Sequence, residues 1–218
     1  MNKIIMNNNI DNVIINHLET NLEINQDSEI IIFNQEIEDL KIKVMSDTKV
    51  VVNDFRVLNT EKTNINIVTC DNSHITYNHA FINNQNYDLD IKLDMAGNNG
   101  YVLINVHGIT DGGKTRVNVD GIIGKTNYDN EFLEHIRLVN INGGIATCIP
   151  NILIANSKVV ANHEATTGKL NENELEYLMS KGITRKLAEK LILDGFIVNA
   201  ITNKELVVKI KEILNKEV

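Results

Sequence analysis

The chain has 218 residues, 29 acidic and 21 basic, for a formal charge of −8 and an isoelectric point near 5.3, which argues against an electrostatic nucleic-acid binder with a basic face. It holds two cysteines, Cys70 and Cys148, no tryptophan and a single proline, and no run approaches the ~18 apolar residues of a membrane span. That length accommodates one large domain, or a large and a small one.

The opening Met1-Asn-Lys-Ile-Ile-Met6, followed by Asn7-Asn8-Asn9, is too short an apolar run for a signal peptide. Exported disulfide scaffolds are small and cysteine-rich, so the two cysteines are expected as reduced thiols in a cytoplasmic protein. From there to about residue 165 the chain is a series of short alternating segments. Among them are Glu29–Phe33, Leu40–Met45, Lys49–Val52, Asn64–Val68, Tyr87–Met95, Tyr101–Val106, Arg116–Val119 and Ile136–Ile141. Isoleucine and valine fill their apolar positions, and Asn, Asp or Gly separate them, as expected of strands and turns. A spacing of roughly 8–12 residues fits a sandwich, a barrel or a solenoid. Hairpin dipeptides are sparse, while Asn-rich corners suit the left-handed turns and stacked amides of a parallel β-helix, so a mainly β fold with a β-helix core is favoured.

Four histidines, His79, His107, His135 and His163, are a constant 28 residues apart and invite a ligand ladder along stacked coils. Their flanking residues share little, so coincidence is preferred. His17 and His74 lack a constellation and are expected at the surface or in turns. Asp111-Gly-Gly-Lys-Thr115 lacks the spaced first glycine and the following helix of a phosphate loop and is read as a turn. Gly143-Gly144 is read as a corner or a close approach of backbone to another subunit.

After Gly168 the period changes. Asn171 with Glu174 has capping-box form, and Leu175, Leu178 and Met179 share one face, predicting a helix over 172–180 that ends at Gly182. Thr184 caps a second helix bearing Leu187, Leu191 and Ile192, predicted to stop at Gly195; Asn203 opens a third with Leu206, Val207, Ile210, Ile213 and Leu214. The chain therefore divides into a β-helix core, 1–167, and a small helical domain, 168–218. The helices are suited to covering the last open coil, to docking a partner, or to both.

Candidate chemistry lies between Gly143 and Glu164. Cys148 is a soft thiolate donor, His163 an imidazole donor, and Glu164 a hard oxygen ligand or proton acceptor. Ile149–Ile154 and Lys158–Ala161 read as consecutive strands, which would set Cys148 and His163 on neighbouring coils. A lone buried cysteine is also a common small hydrophobe. Cys70, in Val68-Thr-Cys-Asp-Asn72, carries no local motif and is read as a core or strand-face residue.

The run His163-Glu-Ala-Thr-Thr-Gly168, followed by Leu175-Glu-Tyr-Leu-Met-Ser-Lys-Gly-Ile183 and Leu191-Ile-Leu-Asp-Gly-Phe196, resembles the C-terminal signature of the SufBD family, the scaffold subunits of SUF-type iron–sulfur cluster assembly. The resemblance weakens upstream, through Leu138-Val139-Asn140 and Pro150 to about Gly121, and the chain is short for the family. It implies a parallel β-helix, helical docking of a SufC-like ABC ATPase, and a non-enzymatic homodimeric scaffold. Its cargo would be a [2Fe–2S] or [4Fe–4S] cluster, with apo iron–sulfur proteins as recipients. His163-Glu164 is similar to the His-Glu of SufB, where SufD usually has His-Gly. Pro150 matches the family proline 13 residues before that histidine. The family cysteine lies six residues before the proline, where this chain has Gly144; Cys148 lies two before it, a four-residue shift that keeps the same strand face and moves the sulfur about 13 Å. The resemblance implies Cys148, His163 and Glu164 as cluster ligands, and sulfur relay by an upstream cysteine such as Cys70. Two other classes stay open: a structural SufD-like subunit that holds the ATPase without a cluster, and a β-helix carbohydrate-active enzyme pairing Glu164 with Asp111, Asp120 or Asp129, which the 5% aromatic content disfavours.

Overall fold

The computed structural model of the chain describes residues 5–7, 13–15, 19–34 and 36–215; His17 and most of the first twelve residues lie outside them. The strands in order are β1 (Ile5–Asn7), β2 (Val13–Ile15), β3 (Glu19–Ile24), β4 (Ser28–Phe33), β5 (Asp39–Val44), β6 (Lys49–Val57), β7 (Lys62–Thr69), β8 (His74–Asn83), β9 (Tyr87–Met95), β10 (Tyr101–Asp111), β11 (Lys114–Ile123), β12 (Asn130–Ile141), β13 (Ile145–Ile154) and β14 (Val159–Gly168). From β3 onward each strand pairs in parallel with the strand two places on, so successive strands alternate between two sheets. Sheet A runs β1-β4-β6-β8-β10-β12-β14 and sheet B runs β13-β11-β9-β7-β5-β3-β2. Chain alternation between two parallel sheets is a flattened parallel β-helix, two strands to the coil.

Alternation within each strand sets the layers. Ile65, Ile67, Leu89, Ile91, Val117 and Val119 of sheet B face Ile75, Val102, Ile104, Phe132 and Ile136 of sheet A across one continuous buried core. Gly108 and Gly121 are glycines because a Cβ on either would stand 2.3 Å from the ring of Phe81 or Phe132. The corners follow the composition. Asp47, Asn72, Asn99 and Asp129 occupy equivalent places on four coils, all with positive φ, where Asn and Asp are the best tolerated of the larger residues. The Asn72 side-chain amide donates to Asp47 and that of Asn99 to Asn72, forming a stacked column. A second column crosses the outer face of sheet A, where Asn105 donates to Asn78 and Asn78 to Asn53.

The same register disposes of the histidine ladder. His79 stands in line with Val106, His107 with Ala80 and Arg137, His135 with Asn105 and Glu164, and His163 with Glu134. The coils differ in length, so each histidine slips to a different row, and the four do not stack. The segment 111–115 is the turn between β10 and β11, with Gly112 at φ +80°. Gly144 is indeed a close approach, but to its own chain: a Cβ there would meet the Thr110 carbonyl oxygen at 2.3 Å.

Three helices follow, α1 (Glu172–Ser180), α2 (Arg185–Val198) and α3 (Lys204–Leu214). Thr184 and Asn203 cap the second and third through Leu187 and Leu206, and Gly182 terminates the first at φ +85°. Asn171 caps α1 through the Asn173 amide, rather than the Glu174 amide a full capping box would use. Gly195 does not stop α2; with open space where a Cβ would stand and no positive φ, it is passed through and the helix ends at Val198. The helices do not cover the last coil. They lie on the outer face of sheet A, where Ile197, Ala200, Ile201, Leu206, Ile210 and Leu214 pack on Ile31, Phe55, Ala80 and Ile109. Thr202 fixes the α2–α3 loop by donating backbone and hydroxyl hydrogens to Asn53 Oδ1, each at 3.0 Å. At the opposite end from β1 and β2, β13 and β14 therefore each have a partner on one side only among the described residues. Among the described residues, no helix is long and apolar enough to cross a membrane.

Candidate functional site on the last coil

Cys148 sits on β13 in register with Val117, a core residue, so its side chain turns toward the space between the sheets. Its sulfur is 4.0 Å from the Thr166 carbonyl oxygen on β14. Pro150, in register with Val119, belongs to the same inward row; lacking an N–H, it is suited to an end strand. On β14 the inward row is Ala161, His163, Ala165 and Thr167. Ala161 packs on the core, and the Thr167 hydroxyl reaches across to the Ala146 carbonyl of β13. His163 is exposed, because no further coil covers it.

Glu164 points the other way. In register with His135 on the outer face of sheet A, it forms a half-exposed ion pair with Arg137 at 3.3 Å. Cys148 and His163 thus share the inner side of the last coil, and Glu164 lies on the opposite side of its own strand. Asp120, on the outer face of sheet B between inward Val119 and Gly121, accepts from Asn118 and Asn151. An acid–base pair of Glu164 with Asp120 would have to span both sheets.

One acidic residue beneath this coil escaped the sequence reading. Glu134, on β12 in register with His163, is 0% exposed, and neither carboxylate oxygen has a hydrogen-bond partner. Burial, with the Asp120 charge adding to it, pushes its carboxyl up to about 8. Burial and then the Glu134 charge push the Cys148 thiol up to about 11. The signal was present in Asn130–Ile141, where the apolar row Phe132, Ile136 and Leu138 has a glutamate in its middle. Among the described residues, no three His, Cys, Asp or Glu side chains converge on a point that would hold a single metal ion.

A second buried polar group lies deeper in the helix and was equally unforeseen. Arg56 makes bidentate contact with Asp54, at 2.7 Å in its shorter arm, and donates to the Ile37 carbonyl; Tyr77 donates to the same carboxylate at 2.7 Å. His79 Nδ1 stands 3.3 Å from Asp54 without hydrogen-bond alignment. Burial alone would raise the Asp54 carboxyl, but Arg56 and His79 hold it far below the usual carboxylate range. Burial holds His79 below its ordinary value, against the pull of Asp54. The acid has its full set of partners, so the cluster reads as a structural ion pair. Cys70 lies elsewhere, at the corner after β7, half-buried; both cysteines are free.

Comparison with known proteins supplies the context. The family model described as SUF system FeS cluster assembly, SufBD core domain, matches residues 34–196. An iron–sulfur cluster assembly SufBD family protein of Pyrococcus horikoshii is 33% identical over 79 residues, 36% of this chain and 24% of that protein. SufD of Bacillus subtilis is 42% identical over 48 residues, covering 22% of this chain and 11% of its own length. SufB of the same organism is 37% identical over 65 residues, 30% of this chain and 14% of its own. The chain thus matches less than a quarter of the length of each of these relatives.

Proposed function

We propose, from the premise that this chain belongs to the SufBD family of SUF-system iron–sulfur cluster assembly proteins, that it is a SufB-like scaffold for assembling an iron–sulfur cluster and passing it to apo proteins. It works as a homodimer bound to a SufC-like ABC ATPase, and ATP hydrolysis belongs to that partner. The observation that carries this reading is that Cys148 and His163 face the same inner side of the last coil, from two end strands with open edges. One chain offers a single thiolate at that end, too few for a cluster held by four ligands; a second copy across the open edges doubles the donors. Open edges with exposed apolar side chains, Leu153 at 63% and Val160 at 60%, suit such pairing. Residues 168–218 form the ATPase-docking part, with Tyr177, Met179, Leu187 and Leu191 as its exposed apolar contacts.

The SufD-like reading, in which the chain holds the ATPase without a cluster, is favoured by a different observation: the Cys148 thiol is pushed up to about 11, so it is protonated at neutral pH until iron displaces the proton. Anaerobic reconstitution with iron and sulfide, with and without a SufC-like partner, separates the two. A visible and Mössbauer signature in the wild type that disappears in Cys148→Ser supports the scaffold. A wild type that stays colourless under both conditions leaves the SufD-like role.

A further inference from the structure

We propose that Glu134, and not Glu164, supplies the carboxylate ligand of the cluster on this chain, beside Cys148 and His163. The inference rests on the scaffold reading and deepens it.

Strand geometry separates the two glutamates. Glu134 and His163 are direct neighbours in the β12–β14 register and belong to the inward-facing row, to which Cys148 turns from β13. Glu164 follows His163 by one residue, faces outward, and has a partner in Arg137. Reaching the Cys148 side would require β14 to flip or slip by one residue, which would also turn His163 outward and expose Ala161.

Burial points the same way. Both Glu134 oxygens are sealed from solvent without a partner, an arrangement that costs free energy unless something binds there. The other fully buried acid among the described residues, Asp54, has Arg56 and Tyr77 on its oxygens, so this fold satisfies a buried carboxylate where the role is structural. The orphaned one lies at the end of the solenoid, beneath the exposed imidazole of His163. Its chemistry complements the site. Iron accepts carboxylate oxygen and imidazole nitrogen as well as thiolate, and with one cysteine per chain at this end the remaining positions fall to such ligands. A cluster offers several irons at separate points, so its ligands need not converge as those of a lone ion do.

The test uses the 218-residue apo chain, reconstituted anaerobically with ferrous iron and sulfide and read by bound iron and Mössbauer spectroscopy, for wild type, E134Q and E164Q. E134Q is expected to bind several-fold less iron and to lose the quadrupole doublet of the oxygen- or nitrogen-ligated site, whereas E164Q keeps the wild-type spectrum. Wild-type iron content and spectrum in E134Q, or an equal loss in both variants, would overturn the assignment while leaving the scaffold reading intact. A wild type without a cluster sinks both. If E134Q does not fold by circular dichroism, Glu134→Asp carries the same question: the shortened carboxylate alters that doublet if residue 134 binds iron, and leaves it unaltered otherwise.

Discussion

The imidazole of His107 lies flat against the ring of Phe196, the centroids 4.8 Å apart and the planes 14° from parallel, and its Nδ1 meets the Phe196 carbonyl oxygen at 2.9 Å. His107 projects from the outer face of sheet A and Phe196 from α2, so this stack and hydrogen bond fasten the helices to the β-helix. Neutral imidazole with its proton on Nδ1 is the donor. Phe196→Ala is expected to cost about 2–3 kcal/mol and to loosen the helices first. Hydrogen exchange resolved by segment checks this: amides of α2 and α3 should lose protection well before those of β8 and β10, and uniform loss would contradict a local role.

His107 also makes that attachment sensitive to acid. Burial holds its pKa below the ordinary value, with the Phe196 carbonyl opposing. The unfolded chain then binds a proton more readily than the folded one, so the stability is complete above the unfolded value near 6.5 and is lost as pH falls below it. His107→Gln should flatten that loss below about pH 6.5, measured as the difference from wild type in urea midpoints across pH. An unchanged slope would mean that His79, also depressed by burial, carries the acid sensitivity.

The ion pair inside the helix gives a sharper contrast. Arg56→Met leaves Asp54 charged and fully buried with only Tyr77 and the misaligned His79, and is expected to cost about 3–5 kcal/mol. The double variant Asp54→Leu with Arg56→Met removes both charges and should recover most of that loss. Denaturant melts of the single and double variants measure the coupling; additive losses would show that the two charges do not depend on each other.

Much of the β-helix was legible because its strands alternate strictly; Lys62–Thr69, buried at every second residue, is an example. Strand β8 is less plain, since its inward row mixes Ile75 and Phe81 with Tyr77 and His79. Local signals also placed the helix caps at Thr184 and Asn203. They failed at Gly195, because a glycine stops a helix only where the chain needs positive φ. Where the helices dock could not be read locally: outward Ile31, Phe55, Ala80 and Ile109 on four strands become a docking face only once coils stack. The candidate site was legible only in outline. The proline and the His-Glu pair drew attention to the last coil, but strand parity, which divides His163 from Glu164, needs the register. Glu134 is 29 residues upstream of His163 and meets it only through the coil repeat.

The corner column makes its own claim on stability. Asn99, at φ 54°, donates its amide to Asn72 and its backbone N–H to the Tyr128 carbonyl at 3.0 Å. Asn99→Ala keeps the strained backbone and drops the side-chain bond, for an expected loss of about 1–2 kcal/mol, whereas Asn99→Gly relieves the backbone and should cost less. Thermal melts of the pair test the order; alanine melting above glycine would refute it.

Glu134 should leave a pH signature in the apo protein that is opposite in sign to that of His107. Its folded carboxyl is pushed up to about 8, chiefly by burial, from an ordinary value near 4.5. Between those two values the folded chain holds a proton that the unfolded chain has released, so stability is fully present below about pH 4.5, declines as pH rises, and reaches its floor above about 8. A raised carboxyl of this size corresponds to a few kcal/mol, at about 1.4 kcal/mol per pKa unit. Glu134→Gln, an uncharged residue of the same shape, removes the decline: the variant should match the wild type in mild acid and exceed it increasingly toward pH 8. Urea midpoints of apo wild type and variant at several pH values give the difference directly. A difference that is constant with pH would mean that the carboxyl is ionised in the folded chain throughout the range, with water or a counter-charge reaching it through the open end of the last coil.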